Sequence, residues 1–330
     1  MSNKPKDTEK RTSIGGQALI EGIMMRGVSK AAMAVRKKDG SIAVEEWELK
    51  EKKWYQKVPF LRGSFNFVIT LMDGYKCMMK SAEMSGMMDE DEDEEMSGFE
   101  KWLDEKLGDK LTDVIMGIAM VIGIALAVVL FMFVPSYLFS LVEMLAGDTD
   151  ISMWKSPFEG ILKLVIFVVY MALVSRMKDI RRTYEYHGAE HKTIACYEAG
   201  KELTVENIRP MCRFHPRCGT SFIIITLLVS ILVFAIVPIE PGQWFGIENN
   251  LLAVLLRVLF KLPLIPVVVG IAYELIKLAG RHTNIITKIF SAPGIWMQHI
   301  TTCEPDDSMI EIAIAALKPC LPKEGEDDNW

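Results

Sequence analysis

Hydrophobic and polar positions change rhythm several times along this chain, and each rhythm predicts a different element. From Ala31 to Leu49 (AAMAVRKKDGSIAVEEWEL) apolar and polar residues alternate on both sides of Asp39-Gly40, the pattern and turn pair of a β-hairpin. Before it, Gly15, Gly16, Gly22 and Gly27 punctuate GGQALIEGIMMRG, where glycine permits positive φ or close backbone approach. Phe60 to Met84 reads as a helix with an apolar surface, placed against the membrane or its spans. The run DEDEDEE at Asp89 to Glu95 has too few apolar residues to fold and reads as a solvated linker. Phe99, Trp102, Leu103, Leu107 and Leu111 then recur at helical spacing, an amphipathic approach to the first long apolar run.

That run, Val114 to Val134, is uncharged and long enough for a bilayer, which takes ~20 helical residues. Gly160 to Ser175 is a second span, whose Lys163 can snorkel to the interface, and Thr220 to Ile239 is a third, ended by Pro238. The fourth region is interrupted by Arg257, Lys261, Pro263 and Pro266. It reads as an interfacial segment, Leu251 to Lys261, followed by a span, Leu264 to Ile276, with one long tilted helix as the competing reading.

Charge orients these spans. Between the second and third lie Arg176, Lys178, Arg181, Arg182, Lys192, Lys201, Arg209, Arg213 and Arg217, whereas the other two connections carry one basic residue, Lys155. Positive loops stay inside. The 176–219 loop and both termini are therefore expected in the cytosol of a bacterial cell, and the charged N-terminus has no apolar core of a signal peptide. The expected class is mainly α: a four-span helical membrane protein with a cytosolic α+β part containing an N-terminal hairpin. Its segments are an N-terminal region (1–88), an acidic linker (89–98), a juxtamembrane helix (99–113), spans one and two (114–175), a His/Cys loop (176–219), spans three and four (220–279) and a tail (280–330).

Composition agrees with that division. Half of the 330 residues are hydrophobic while 24% are charged, so the two kinds are segregated into blocks. A net charge of -6 and the lack of a basic stripe give no reason to expect nucleic acid. The expected partners are the lipid bilayer and another membrane protein.

Candidate chemistry concentrates in the His/Cys loop. Positions 187–191, HGAEH, have the form HxxEH, which on a helix places His187, Glu190 and His191 on one face. Continuation of the second span as a helix would carry His187 roughly 18 Å beyond Ser175. Neutral imidazoles suit zinc, and Glu190 is the candidate base. A hydrolase of this type needs a third protein ligand, for which Glu198, Glu202 and Glu206 are all available. Cys212, His215 and Cys218 in MCRFHPRCGTS lie in the same loop, and reduced cytosolic thiols favour ligation over a disulfide. Together His187, His191, Cys212, His215 and Cys218 offer more than the four ligands of a closed structural zinc site. The remaining cysteines, Cys77, Cys196, Cys303 and Cys320, read as small hydrophobes. Outside the loop, Glu274 sits inside or at the end of the last span, as an intramembrane group or as the helix-end partner of Lys277. Glu21 and Arg26 flank GIMM among the early glycines, as ligand contacts or as turn charges.

With these residues in view, the chain resembles the bacterial YqhQ-like family of polytopic membrane proteins, a domain of unknown function labelled a predicted metal-dependent enzyme. The stretches that carry the resemblance are GGQALIEGIMMRG, YHGAEHKTIACYE, LTVENIRPMCRFHPRCGTSF, the IAYELIKLAGRH region and PGIWMQHITTCEPDDSMIEIAIAAL. It implies roles for Gly16, Gln17, Glu21, Met25, Arg26, His187, Glu190, His191, Cys212, His215, Cys218, Glu274, Glu304 and Pro305. The expected function is a cytosolic His/Cys metal site, of hydrolase type if catalytic. The alternative is a non-enzymatic scaffold or accessory factor in membrane-protein insertion or quality control.

Overall fold

Strands β1 (Gly15–Leu19), β2 (Gly22–Arg26), β3 (Lys30–Arg36) and β4 (Ile42–Glu48) form an antiparallel meander in chain order. The expected hairpin is β3–β4, with Gly40 at φ +81 in its turn. The glycine-rich start, to which the sequence assigned no element, is a second hairpin, pairing Gly16 with Met25 and Leu19 with Gly22. Its positive φ falls on Glu21 (φ 50), while its glycines serve close approach: a Cβ on Gly22 would stand 2.5 Å from the Ala34 carbonyl oxygen. This computed structural model describes residues 11–51, 53–87, 111–147, 149–237, 244–247, 249–281, 284–323 and 325–329. The acidic run and the expected juxtamembrane helix up to residue 110 lie outside the described residues.

The helices are α1 (Leu61–Met84), α2 (Leu111–Val128), α3 (Val134–Ala146), α4 (Lys155–Val174), α5 (Lys178–Glu198), α6 (Val205–Ile208), α7 (Gly219–Ile236), α8 (Asn250–Lys261), α9 (Ile265–Arg281), α10 (Ile285–Thr301) and α11 (Asp307–Leu317). They form, with the sheet, two compact units: 1–88 with 171–226 and 266–330, and 89–170 with 227–265.

In the first unit the sheet is covered on both faces, which is why β2 and β3 read as nearly unbroken apolar runs. Ile23, Met25, Ala32 and Ala34 pack with Tyr186, Ala189 and Ile194 of α5 and with Met309, Ile312, Ala313 and Ala316 of α11. Leu19, Met24, Met33 and Val35 point the other way, toward Cys77 and Met78 of α1. Full burial of each large side chain here is worth about 1.5–3 kcal/mol. The outer strand β4 keeps the alternation of half-covered and exposed positions that made the hairpin legible. The start of α1 is held against α9: a Cβ on Gly63 would meet Gly270 Cα at 3.0 Å, and Arg62 grips Glu274 with Nε at 2.7 Å and Nη2 at 2.5 Å.

Among the described residues four helices are long and apolar enough to cross a membrane: Gly117–Ala146, Lys155–Val174, Gly219–Ile236 and Leu255–Gly280. The first is longer than its apolar run, because α2 continues through a π-turn (Val129–Phe133) into α3; Pro135, which has no amide to donate, directly follows that turn. The fourth follows the long-helix reading: α8 and α9 succeed one another through a 3-10 turn, Leu262–Leu264, that absorbs Pro263. Within the second unit Glu159 is buried, accepting from Ser136 Oγ at 2.8 Å with Lys163 Nζ and Arg257 Nη1 each 3.8 Å away. The sequence reading took Lys163 as a snorkelling side chain and Arg257 as an interruption of the fourth apolar region, and passed over the carboxylate they share.

One expectation is corrected. The second span does not run on into HGAEH: α4 ends at Val174, and Met177, at ψ 136, is the extended residue before a new helix, α5. No proline or glycine marks the break. It follows from packing, since α5 must lay Tyr186 and Ala189 on the sheet.

Candidate metal centre

The α5 sequence puts two different surfaces to use. Tyr186 and Ala189, three apart, enter the core, and His187, Glu190 and His191 occupy the neighbouring face. Gly188 lies between them because a backbone segment crosses there: a Cβ on Gly188 would stand 1.9 Å from the Cys303 carbonyl oxygen. Cys303 N–H also donates to Tyr184 O at 2.9 Å, so the segment is bonded to the helix it crosses.

The two imidazoles are fixed by backbone acceptors. His187 Nδ1 is 2.8 Å from Thr301 O and His191 Nδ1 is 2.5 Å from Arg213 O. A carbonyl only accepts, so each Nδ1 carries its proton and each Nε2 is left for another partner. That partner is Cys218, directly before α7, whose Sγ lies 3.2 Å from His187 Nε2. One ligand atom from each of His187, His191 and Cys218 falls within 4.8 Å of the others. Hydrogen bonds that orient imidazoles through the distal nitrogen are the usual support of metal ligands.

Electrostatics inside this group are strongly coupled. Burial pushes the Cys218 thiol up, but His187 and His191 outweigh it and hold the thiol well below its ordinary value. Burial pushes His187 down, and Cys218, with help from Glu190, raises it to about 9 instead. A cation binding here would take the place of the protons these groups share. Glu190 is 5% exposed, and burial raises its carboxyl pKa against the pull of His187 and His191. Its Oε2 has no hydrogen-bond partner. Gly16 makes room for it, since a Cβ there would sit 3.0 Å from the Glu190 carboxyl carbon.

The other sequence candidates are placed elsewhere. Cys212 is exposed, its Sγ 3.4 Å from Phe214 N. The His215 ring centroid is 5.7 Å from that of His191, but its Nε2 contacts Glu198 Oε2 at 3.3 Å. Burial would raise the Glu198 pKa, yet His215 and Arg217 hold it below the ordinary carboxylate value. Glu198 is thus engaged, Glu202 and Glu206 are exposed, and the third converging donor is a thiol rather than a carboxylate. Glu21 is clasped by Arg182 and receives the Tyr186 hydroxyl at 3.2 Å. Arg26 pairs with Asp73 at 3.5 Å, and Glu274 with Arg62 across two helices. Glu304 binds Lys192 and Arg213.

One residue that sequence reasoning missed positions the cysteine loop. Gln298, fully buried, accepts from His215 N at 2.7 Å and donates to His215 O at 2.7 Å and Ser221 Oγ at 3.3 Å. It therefore fixes the backbone between the two ends of the MCRFHPRC turn. Gln298→Ala should strand a buried amide and carbonyl at a cost of about 2–4 kcal/mol, read as a fall in the thermal midpoint of the detergent-purified protein. The one available signal was a lone polar residue in the apolar stretch GIWMQHI.

The profile of the family described as "Protein of unknown function (DUF1385)" matches residues 58–323. The protein "Uncharacterized protein YqhQ" of Bacillus subtilis (strain 168) is 33% identical over 311 residues, 93% of this chain and 92% of that protein. No solved structure matches the chain.

Proposed function

The chain belongs to the family of proteins of unknown function DUF1385, and from that premise and the convergence of His187, His191 and Cys218 we propose a multi-pass bacterial membrane protein with a metal-dependent, hydrolytic centre facing the cytosol. The basic loop that carries the centre supports that orientation, with both termini on the same side.

The observation that carries the reading is the number and kind of donors. Two imidazole nitrogens and one thiolate are a donor set suited to zinc, and three protein ligands are the number of a catalytic site, four that of a structural one. His187, His191 and Cys218 would hold the ion. Zinc would supply Lewis-acid polarisation of a scissile carbonyl or phosphoryl bond. Glu190 would take up and return a proton at Oε2, the buried oxygen without a partner. Thr301 O and Arg213 O keep both imidazoles in the tautomer that presents Nε2.

The test is metal content beside a change at the base. Wild-type protein purified without added chelator should hold about one zinc per chain, and His187→Ala with His191→Ala should hold none. Glu190→Gln should keep the metal and raise or leave unchanged the thermal midpoint, because it removes a buried charge while keeping the shape. Metal-free wild type, or metal unchanged in the double variant, would refute the centre.

A second reading, a non-enzymatic scaffold or accessory factor for membrane proteins, is favoured by one feature. Leu61, Phe65, Val68, Met72 and Tyr75 form an exposed apolar stripe along α1. Purification in mild detergent without a reproducible protein partner would count against it.

A further inference from the structure

Beside the metal centre, and sharing His215 with its surroundings, lies a cavity of about 810 Å³. Its wall combines three cations, Arg11, Arg217 and Lys288, with one carboxylate, Glu198, and with the apolar side chains of Ile295 and Trp296. Arg217 is matched to Glu198, so Arg11 and Lys288 leave the wall net positive. The size is that of a site for a small organic molecule, and positive charge beside apolar wall selects an anionic amphiphile.

Its position narrows the source. Ala279 and Gly280, at the end of the fourth candidate span, form part of the wall, and Arg11 Nη1 donates to Gly280 O at 3.2 Å. On the other side α10 turns Ile285, Ile289, Phe290 and Trp296 outward, the last of these also lining the cavity. Apolar residues exposed on a helix that comes directly after a span belong at the membrane interface, where tryptophan is favoured. A basic pocket at that level fits a lipid head group, with the acyl chains left among the exposed apolar side chains.

We propose that this cavity binds the phosphate-bearing head of an anionic membrane lipid, and that such lipids are the substrate class of the neighbouring centre. The second half rests on the reading of His187, His191 and Cys218 as a catalytic metal site; the binding itself does not.

Native mass spectrometry of the full chain in mild detergent, with phosphatidylglycerol or phosphatidylcholine of the same acyl chains added, tests it. Phosphatidylglycerol should be retained about tenfold more tightly than phosphatidylcholine, and Lys288→Glu should remove that preference, a change of the size of one charge-assisted contact. Lys288 is exposed, so an unchanged thermal midpoint is expected for that variant. Trp296→Ala should weaken retention of both lipids while keeping their ratio. Cys218→Ser should lose the metal and keep the lipid preference, which separates failure of the metal site from failure of this proposal. Equal retention of the two lipids, or a preference that survives Lys288→Glu, would overturn it. Displacement of phosphatidylglycerol by glycerol phosphate at equal concentration would assign the cavity to a soluble phosphate compound and overturn the membrane source.

Discussion

Gly188→Ala is expected to destabilise the protein by about 3 kcal/mol or more, enough to prevent accumulation of folded chain. The new methyl group would lie 1.9 Å from the Cys303 carbonyl oxygen and 3.4 Å from Pro305 Cδ. The obstacle is backbone, which cannot rotate aside as a side chain would. That backbone is also bonded to α5 through Cys303 N and Tyr184 O, and the Thr301 carbonyl just before it receives His187 Nδ1. A displaced segment would therefore release the imidazole as well as the packing. Gly15→Ala is the control, because nothing lies within 4 Å of a Cβ there and its φ is not positive. Expression level and thermal midpoint of the two variants, side by side, decide the matter: equal behaviour would mean that α5 and the 303–305 segment are not in contact.

Cys218→Ser is expected to lower zinc affinity by at least about 100-fold, since even partners that only orient a ligand are worth 10- to 100-fold. Serine keeps the size of the side chain but replaces a thiolate by a hydroxyl that does not ionise near neutral pH. Cys212→Ser, in contrast, should leave affinity unchanged, because that thiol is exposed and outside the group formed by His187, His191 and Cys218. Competition with a zinc-binding dye measures both. Loss of metal on changing Cys212 would restore the closed four-ligand site that the sequence alone favours.

The contrast between these two cysteines marks how far the sequence could be read. Alternation around Asp39-Gly40 revealed the β3–β4 hairpin, and long apolar runs revealed the first three of the helices long and apolar enough to cross a membrane, because both signals are local; the fourth, interrupted by charges and prolines, was legible only as one of two readings. The β1–β2 hairpin was hidden, since β2, buried on both faces, loses its alternation, and the glycines of both strands carry no side chain to show one. Helical spacing made it legible that His187, Glu190 and His191 of HGAEH share one face. Which loop side chain converges on that face was not legible, because the approach of Cys218 rather than Cys212, His215 or an acidic residue depends on where α7 begins relative to α5. Gln298 and the Thr301 carbonyl lie more than 100 positions from His187 in the chain and meet this group only in three dimensions. Gly188 is the opposite case. It was visible inside the motif throughout, and only the crossing backbone explains why the position cannot carry a side chain.

X-ray absorption at the zinc edge of the purified wild-type protein tests the central claim most directly, because it counts the ligands. The three-donor centre predicts one sulfur at about 2.3 Å and three nitrogen or oxygen neighbours at about 2.0–2.1 Å. Two sulfurs per zinc, with Cys212 beside Cys218, or a protein that binds no zinc, would contradict it.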